Sequence, residues 1–391
     1  MEVLKKYISL VIIYLFNYLP IKKNKIFLFS YYGSQYGCNP KYITEYILKT
    51  YPKDYFDLVW AFNDPDSKVD IEGIRKVKTM SLRYFYELCT SKVLITNFRT
   101  TDLFIKRKEQ YYIQTWHSSL RLKQIEKDAE ENLPSNYVQM AKKDSEKCDL
   151  LLSGCDYSTE IFKRAFWYDG EIFKHGTPRN DILAYANNDL KSSILSKLNI
   201  SAACNIALYA PTFRKDKNID VYNLDFTKVK ETLAKRFGGE WIILVKLHPH
   251  LMSVSNQITV NDQVIDVTQF DDIQELLLIT DFLISDYSSL VFDYSVTKKP
   301  CFLYVPDLEN YIQNERGLYF DLEDLPFIKA LSNQDLLRKI ESFDETVFRK
   351  ELESFLSEIG SYEDGYAAKK LAARLEEICF GKERRVMNEA A

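Results

Sequence analysis

The chain has 391 residues, of which 46% are apolar and 28% charged, with a formal net charge of −4. That balance excludes a disordered chain, and the length predicts two domains of roughly 150–200 residues each rather than one core. It also leaves no global positive field, which excludes a protein built mainly to grip nucleic acid; any anion site must be local.

The first element is an apolar run from Ile8 to Leu19, with Lys5 and Lys6 before it and Lys22, Lys23 and Lys25 after it. It falls short of the roughly 20 residues a membrane span needs. Pro20 and lysines stand where a signal peptide would carry a small-residue cleavage site. Two readings lead, a packed first helix and a helix lying on an anionic leaflet with its lysines toward the headgroups; a signal peptide is the lesser third.

Strands are predicted next at Lys25–Tyr31, Leu58–Phe62, Val93–Asn97, Tyr111–Trp116, Leu150–Ser153 and Glu171–Lys174. A second set follows at Ile206–Ala210, Trp241–Leu247, Val264–Val267, Phe282–Ser285 and Cys301–Val305. These runs are continuously apolar, as strands covered on both faces of a parallel sheet should be. Their alternation with helical patterns predicts an α/β chain of two doubly wound domains. The expected division is a helix within 1–24, a first domain over 25–186, a second over 187–361, and a tail over 362–391. The amphipathic run in that tail, AAKKLAARLEEICF, is expected to pack back on the first domain. The seven cysteines include no CxxC pair, so free thiols in a reducing compartment, the cytosol, are expected rather than disulfides or zinc.

In open α/β sheets ligands bind beyond the carboxyl ends of strands, so the residues just after each strand carry the functional reading. His117 follows YYIQTW; Thr212 and Arg214 follow IALYA; Lys246 lies in WIILVKL, and His248-Pro249-His250 follow it. Asp286-Tyr287-Ser288-Ser289 follow FLIS, and His175 opens the turn HGTPRND between the domains. His117 is the expected proton acceptor, because imidazole titrates near working pH; a structural histidine is the alternative. Ser288 and Ser289 at a helix start are expected to bind phosphate, against simple capping. Arg214 either grips a diphosphate or pairs with Asp216 at the surface. Lys246 must reach the site's edge or find an acid, since an unpaired buried ammonium is costly. His248 faces the site or is structural. No GxxxxGK[ST], GxGxxG or HExxH motif is present, which argues against nucleoside triphosphatase, ordinary dehydrogenase and zinc-protease chemistry. No committed metal site or cofactor is legible, and a role for a divalent ion cannot be read.

Five blocks carry a resemblance: QTWHSSLRLKQIEKD (114–128), GTPRNDIL (176–183), YAPTFR (209–214), KLHPH (246–250) and SDYSSLVFDY (285–294). In this order they resemble the CDP-glycerol glycerophosphotransferase family of teichoic acid primases and polymerases. The resemblance implies a GT-B-type fold, two Rossmann-like domains around a cleft, peripheral on the cytoplasmic membrane face, with the N-terminal helix as the membrane contact. It implies CDP-glycerol as donor, a hydroxyl on a lipid-linked acceptor, and CMP as leaving group. His117 matches the family's general base and His248 the histidine assisting at the diphosphate. Arg179, Thr212, Arg214, Lys246, Ser285, Asp286, Ser288 and Ser289 match blocks lining the nucleotide diphosphate. One departure is Ser118-Ser119-Leu120 where the family commonly has Gly first, a concern if that position needs a positive φ. The blocks do not separate CDP-glycerol from CDP-ribitol or a capsule-polymer donor. A GT-B nucleotide-sugar transferase and a non-catalytic scaffold are the more distant rivals.

Overall fold

A computed structural model describes residues 2–68, 70–185, 187–214, 220–247, 264–314 and 317–381. The Cα framework divides into two compact units. The first comprises Met1–Ser119, Ile125–Asp181 and Tyr362–Ala391; the second comprises Leu120–Gln124 and Ile182–Ser361.

The first unit is a seven-stranded, wholly parallel sheet. Its strands are β1 (Lys22–Phe29), β2 (Asp57–Phe62), β3 (Ile74–Lys78), β4 (Ser91–Thr96), β5 (Tyr111–Gln114), β6 (Leu150–Ser153) and β7 (Glu171–Lys174), in the order β3-β2-β1-β4-β5-β6-β7. The central strands are sealed on both faces, which is why their sequences do not alternate: Ile26, Phe27 and Leu28 in β1 are all fully buried. On one face the helix Cys38–Thr50 contributes Ile43 and Ile47, and the helix Ala367–Phe380 contributes Leu371, Ala372 and Leu375, to one core with Leu58 and Trp60 of β2. A charge is also built into this unit. Lys25 of β1 is fully buried and donates to Glu87 at 2.5 Å and to Thr90 at 2.7 Å. Burial opposes ionisation of Glu87, but Arg75 and Lys25 overrule it and hold its carboxyl at about 2.

The second unit is a six-stranded parallel sheet made of β8 (Asn205–Tyr209), β9 (Trp241–Val245), β10 (Val264–Asp266), β11 (Phe282–Ser285), β12 (Cys301–Tyr304) and β13 (Ile328–Ala330). Their order is β10-β9-β8-β11-β12-β13. Residues 120–124, which the sequence places inside a continuous first domain, belong to this unit instead. Their backbone pairs with 317–319: Gln124 N donates to Gly317 O and Tyr319 N to Leu122 O, both at 2.8 Å. A side chain at Gly317 would collide with Gln124, whose Oε1 lies 2.7 Å from where its Cβ would sit.

All eleven predicted strands form, each trimmed or extended by a few residues at most. Two that were not predicted, β3 (IRKVK) and β13 (IKA), are short edge strands that carry lysine and have one buried residue each. Charge on an edge strand blocks further pairing, and the same charge hides it from a search for apolar runs. The described cysteines are all free, and six of the seven are buried. Among the described residues, no helix is long and apolar enough to cross a membrane.

Candidate active site

In each sheet the strand order reverses at one point, between β1 and β4 in the first unit and between β8 and β11 in the second. Loops leaving adjacent strands in opposite directions open a crevice there. Of the residues singled out by the sequence, His117, Thr212, Arg214, Lys246, Asp286, Ser288 and Ser289 follow strands at or beside these points.

In the first unit β5 stops at Gln114, and the chain turns through Trp116 at φ +50°. Every residue from Tyr112 to Leu122 is buried except His117, which is exposed. Its ring stacks on Trp116, with centroids 4.6 Å apart. Its Nδ1 lies 3.2 Å from the carbonyl oxygen of Asn97, in the loop after β4. A carbonyl can only accept, so this contact assigns the proton of the neutral ring to Nδ1 and leaves the lone pair on Nε2. That is the form a proton acceptor needs.

The loop under this ring is over-determined. Trp116 N donates to Gln114 Oε1 at 3.0 Å, while Gln114 Nε2 donates to Phe98 O and to the Tyr112 hydroxyl, each at 2.9 Å. Beneath them Arg99, 1% exposed, donates to Asp144, Ser145, Glu126 and the Phe166 carbonyl, with its guanidinium 3.6 Å from the Phe166 ring centroid. Gly154 approaches the loop so closely that a Cβ there would lie 2.6 Å from the Ser119 Cα. The positive φ falls on Trp116 and not on Ser118, so serine after the histidine strains nothing. Arg179 also lies in this unit, buried, with Nη1 3.3 Å from the His117 carbonyl oxygen.

In the second unit the expected ligand Arg214 is 4% exposed and is spent on the protein. Nε and Nη2 donate to Asp307 at 2.6 and 3.3 Å, Nη2 also meets Asp286 at 2.9 Å, and Nη1 donates to the Thr212 carbonyl and hydroxyl at 2.7 and 2.8 Å. These contacts use all five N–H groups of a guanidinium. The geometry corrects both sequence readings: Arg214 neither presents a fork to a ligand nor pairs at the surface, and Asp216 lies outside the described residues. Asp286 accepts from Thr212 N through both oxygens at 3.0 Å, and Ser285 donates to Ala210 O at 2.7 Å. Thr212, Arg214, Ser285 and Asp286 therefore come together as one brace joining the ends of β8 and β11.

Ser288 and Ser289 remain half-buried beyond this brace. Ser288 Oγ accepts from Leu290 N, and Ser289 Oγ accepts from Leu122 N, each at 3.3 Å. The helix they precede, Leu290–Tyr294, has only five residues. Its dipole is correspondingly small, so the expected helix-start effect reduces to the hydroxyls and local amides. Lys246 stands apart from the brace. Its ammonium donates to three backbone carbonyls, of Val267, Thr268 and Phe270, the last at 2.6 Å. Burial lowers its pKa to about 8 against the pull of Asp271, Asp272 and Asp266. It resolves the cost of a buried ammonium by holding the turn after β10. His248 lies outside the described residues, as do Pro249 and His250.

Among the described residues, no group of three or more His, Cys, Asp or Glu side chains could hold a metal ion. Sequence reasoning missed Asn97 and Asn39, which hold the His117 loop of the first unit, and Asp307, which holds Arg214 in the second. An asparagine after a strand (VLITN) was visible for Asn97; nothing local marks the other two.

Against this geometry, the sequence profile of the CDP-Glycerol:Poly(glycerophosphate) glycerophosphotransferases matches residues 12–377. The teichoic acid poly(glycerol phosphate) polymerase of Staphylococcus epidermidis is 32% identical over 361 residues, covering 89% of this chain and 50% of that protein. The chain thus spans about half the length of that relative. The protein of the same description from Bacillus spizizenii is 32% identical over 395 residues, covering 96% of this chain and 99% of the relative. Among solved structures, that of the wall teichoic acid polymerase TagF superposes with a TM-score of 0.82 at 30% identity, over 94% of this chain and 93% of that one. The chain belongs to the CDP-glycerol:poly(glycerophosphate) glycerophosphotransferase family.

Proposed function

We propose that the chain transfers glycerol phosphate from CDP-glycerol to a hydroxyl of a growing teichoic acid or related cell-surface polymer on a lipid-linked acceptor. The acceptor oxygen attacks the β-phosphorus, the bond from that phosphorus to the bridging oxygen breaks, and CMP departs with the electron pair. The acceptor's proton passes to Nε2 of His117. The second unit holds the donor, through the Ser288 and Ser289 hydroxyls and His248, while Thr212, Arg214, Ser285 and Asp286 keep those strand ends in place. Such a transfer needs positioning and charge stabilisation more than a protein nucleophile. The observation that carries the reading is His117, the single exposed residue of a buried loop, with Nδ1 tied to Asn97 O. The test is CMP release by purified enzyme from CDP-glycerol, CDP-ribitol and UDP-sugars, with lipid-linked acceptors. CDP-glycerol is expected to be preferred at least about tenfold in kcat/KM, about 1.4 kcal/mol in transition-state binding. Turnover of CDP-ribitol or of UDP-sugars instead would reassign the donor, and ligand binding with no CMP release would point to a scaffold.

The N-terminal helix Glu2–Phe16 supports a peripheral position at the cytoplasmic membrane surface. Its inner side meets the first unit through Ile13, 1% exposed, and through Phe16, whose ring sits edge-on to Tyr86. Leu4, Tyr7, Ile8, Val11, Tyr14 and Leu15 are each more than half exposed, at a spacing that lines them along one outward stripe. Apolar stripes of this kind on a helix bordered by Lys5, Lys22 and Lys23 suit an anionic leaflet. The wild-type protein is expected to co-float with vesicles containing phosphatidylglycerol, and Val11→Glu with Leu15→Glu to abolish flotation without loss of fold. Equal flotation of the double variant would remove the helix from this role.

A further inference from the structure

Three consecutive carbonyls, of Thr115, Trp116 and His117, are each engaged by a donor from elsewhere in the first unit. Asn39, fully buried at the start of the helix Cys38–Thr50, gives Nδ2 to both Thr115 O and Trp116 O at 3.2 Å. Arg179 Nη1 donates to His117 O at 3.3 Å. Asn39 Oδ1 closes the circuit by accepting from Arg179 N at 3.0 Å. One amide therefore ties three chain segments together using its donor and its acceptor.

The backbone it holds is strained. Trp116 has φ +50°, and Cys38, the residue before Asn39, has φ +60°. Neither is glycine, and the left-handed conformation crowds a Cβ against the backbone. Such conformations persist only where their surroundings over-determine them, and they concentrate where geometry matters to function. Here the strained peptide is the one that aims the ring of His117 and sets its Nδ1 against Asn97 O.

We propose that Asn39 is a positioning residue for His117: by clamping the Thr115 and Trp116 carbonyls it holds the imidazole in the orientation that sets Nδ1 against Asn97 O, and so fixes which ring nitrogen carries the proton. The inference rests on the reading of His117 as the proton acceptor. Asn39 itself touches no reacting atom.

The discriminating variant is Asn39→Asp. It keeps the shape and the acceptor for Arg179 N but places oxygens, with no hydrogen to give, against two carbonyls. Its kcat for CMP release is expected to fall about 10- to 100-fold, with the donor KM within about twofold, since misplacing a catalytic group by about 1 Å costs this much. The second readout does not depend on turnover: imidazole 15N shifts of the four histidines, with His117 assigned by its absence in His117→Gln. Wild type is expected to show His117 as a single Nδ1–H tautomer above its titration, and Asn39→Asp a mixture. Asn39→Ser, which retains one donor, serves if the aspartate variant does not fold, and is expected to give the same mixing with a smaller loss. A wild-type His117 already mixed between tautomers would overturn the proposal, as would a variant that keeps the wild-type tautomer whatever its rate. If wild type releases no CMP from any CDP-alditol, the proposed transfer fails, and the tautomer measurement alone still decides the role of Asn39.

Discussion

Replacing His117 by alanine is expected to lower kcat for CMP release by about 10²- to 10⁴-fold, the range for losing one positioned general base. The donor KM should stay within about twofold, because a group that acts only as the proton moves contributes to the transition state and not to ground-state binding. The variant should fold normally. The ring is exposed and its removal opens no cavity; the losses are one hydrogen bond to the Asn97 carbonyl and one stack on Trp116. A drop in kcat with unchanged circular dichroism and melting temperature would identify the proton acceptor. Retention of activity within about threefold would remove His117 from the chemistry.

The second large effect is expected at Arg214, and it is an effect on stability. Arg214→Met takes the only cation in contact with Asp286 and Asp307 among the described residues and leaves those two carboxylates buried, at 2% and 8% side-chain exposure. Removing one partner of a buried ion pair costs about 3–5 kcal/mol, since the remaining charge is stranded away from water. For a unit of this size that is a fall on the order of 10 °C in the transition of the second unit. Burial disfavours the guanidinium's charge, yet Asp286 and Asp307 raise its pKa, so it stays charged throughout the accessible range. Combining Arg214→Met with Asp307→Asn should recover part of the loss, because it removes a stranded charge along with its former partner. A diphosphate ligand behaves in the opposite way: its loss leaves the melting temperature in place and raises the donor KM. Thermal unfolding and KM measured on one variant therefore separate brace from ligand.

The strand-helix alternation, the parallel sheets and the strand-end location of His117, Thr212, Arg214, Asp286, Ser288 and Ser289 were all legible in the chain. The reason is local: a strand sealed on both faces must be continuously apolar, and the polar residue that ends it stands at the sheet's carboxyl edge. The five motif blocks were equally legible, and with them the family. What each polar group does with its hydrogens was not. Arg214 beside Thr212 reads the same whether it faces a diphosphate or Asp307, which lies 93 residues away in the chain. Lys246 within an apolar strand signals that a partner must exist, but not that the partner is a set of carbonyls from 267–270. Asn39 carries no signal at all, because its work is to bond backbone atoms 76 and 77 residues away and the amide of Arg179 140 residues away. The edge strands β3 and β13 were invisible because their stability comes from a neighbour rather than from their own apolar content. Hydrophobic burial is written into the chain at the period of each element, so the sequence alone determined the parallel α/β architecture and which polar residues stand at its strand ends. Hydrogen bonds and ion pairs are settled by which distant atoms arrive within about 3 Å, so only the tertiary structure decided which polar residues face outward and which hold the protein together.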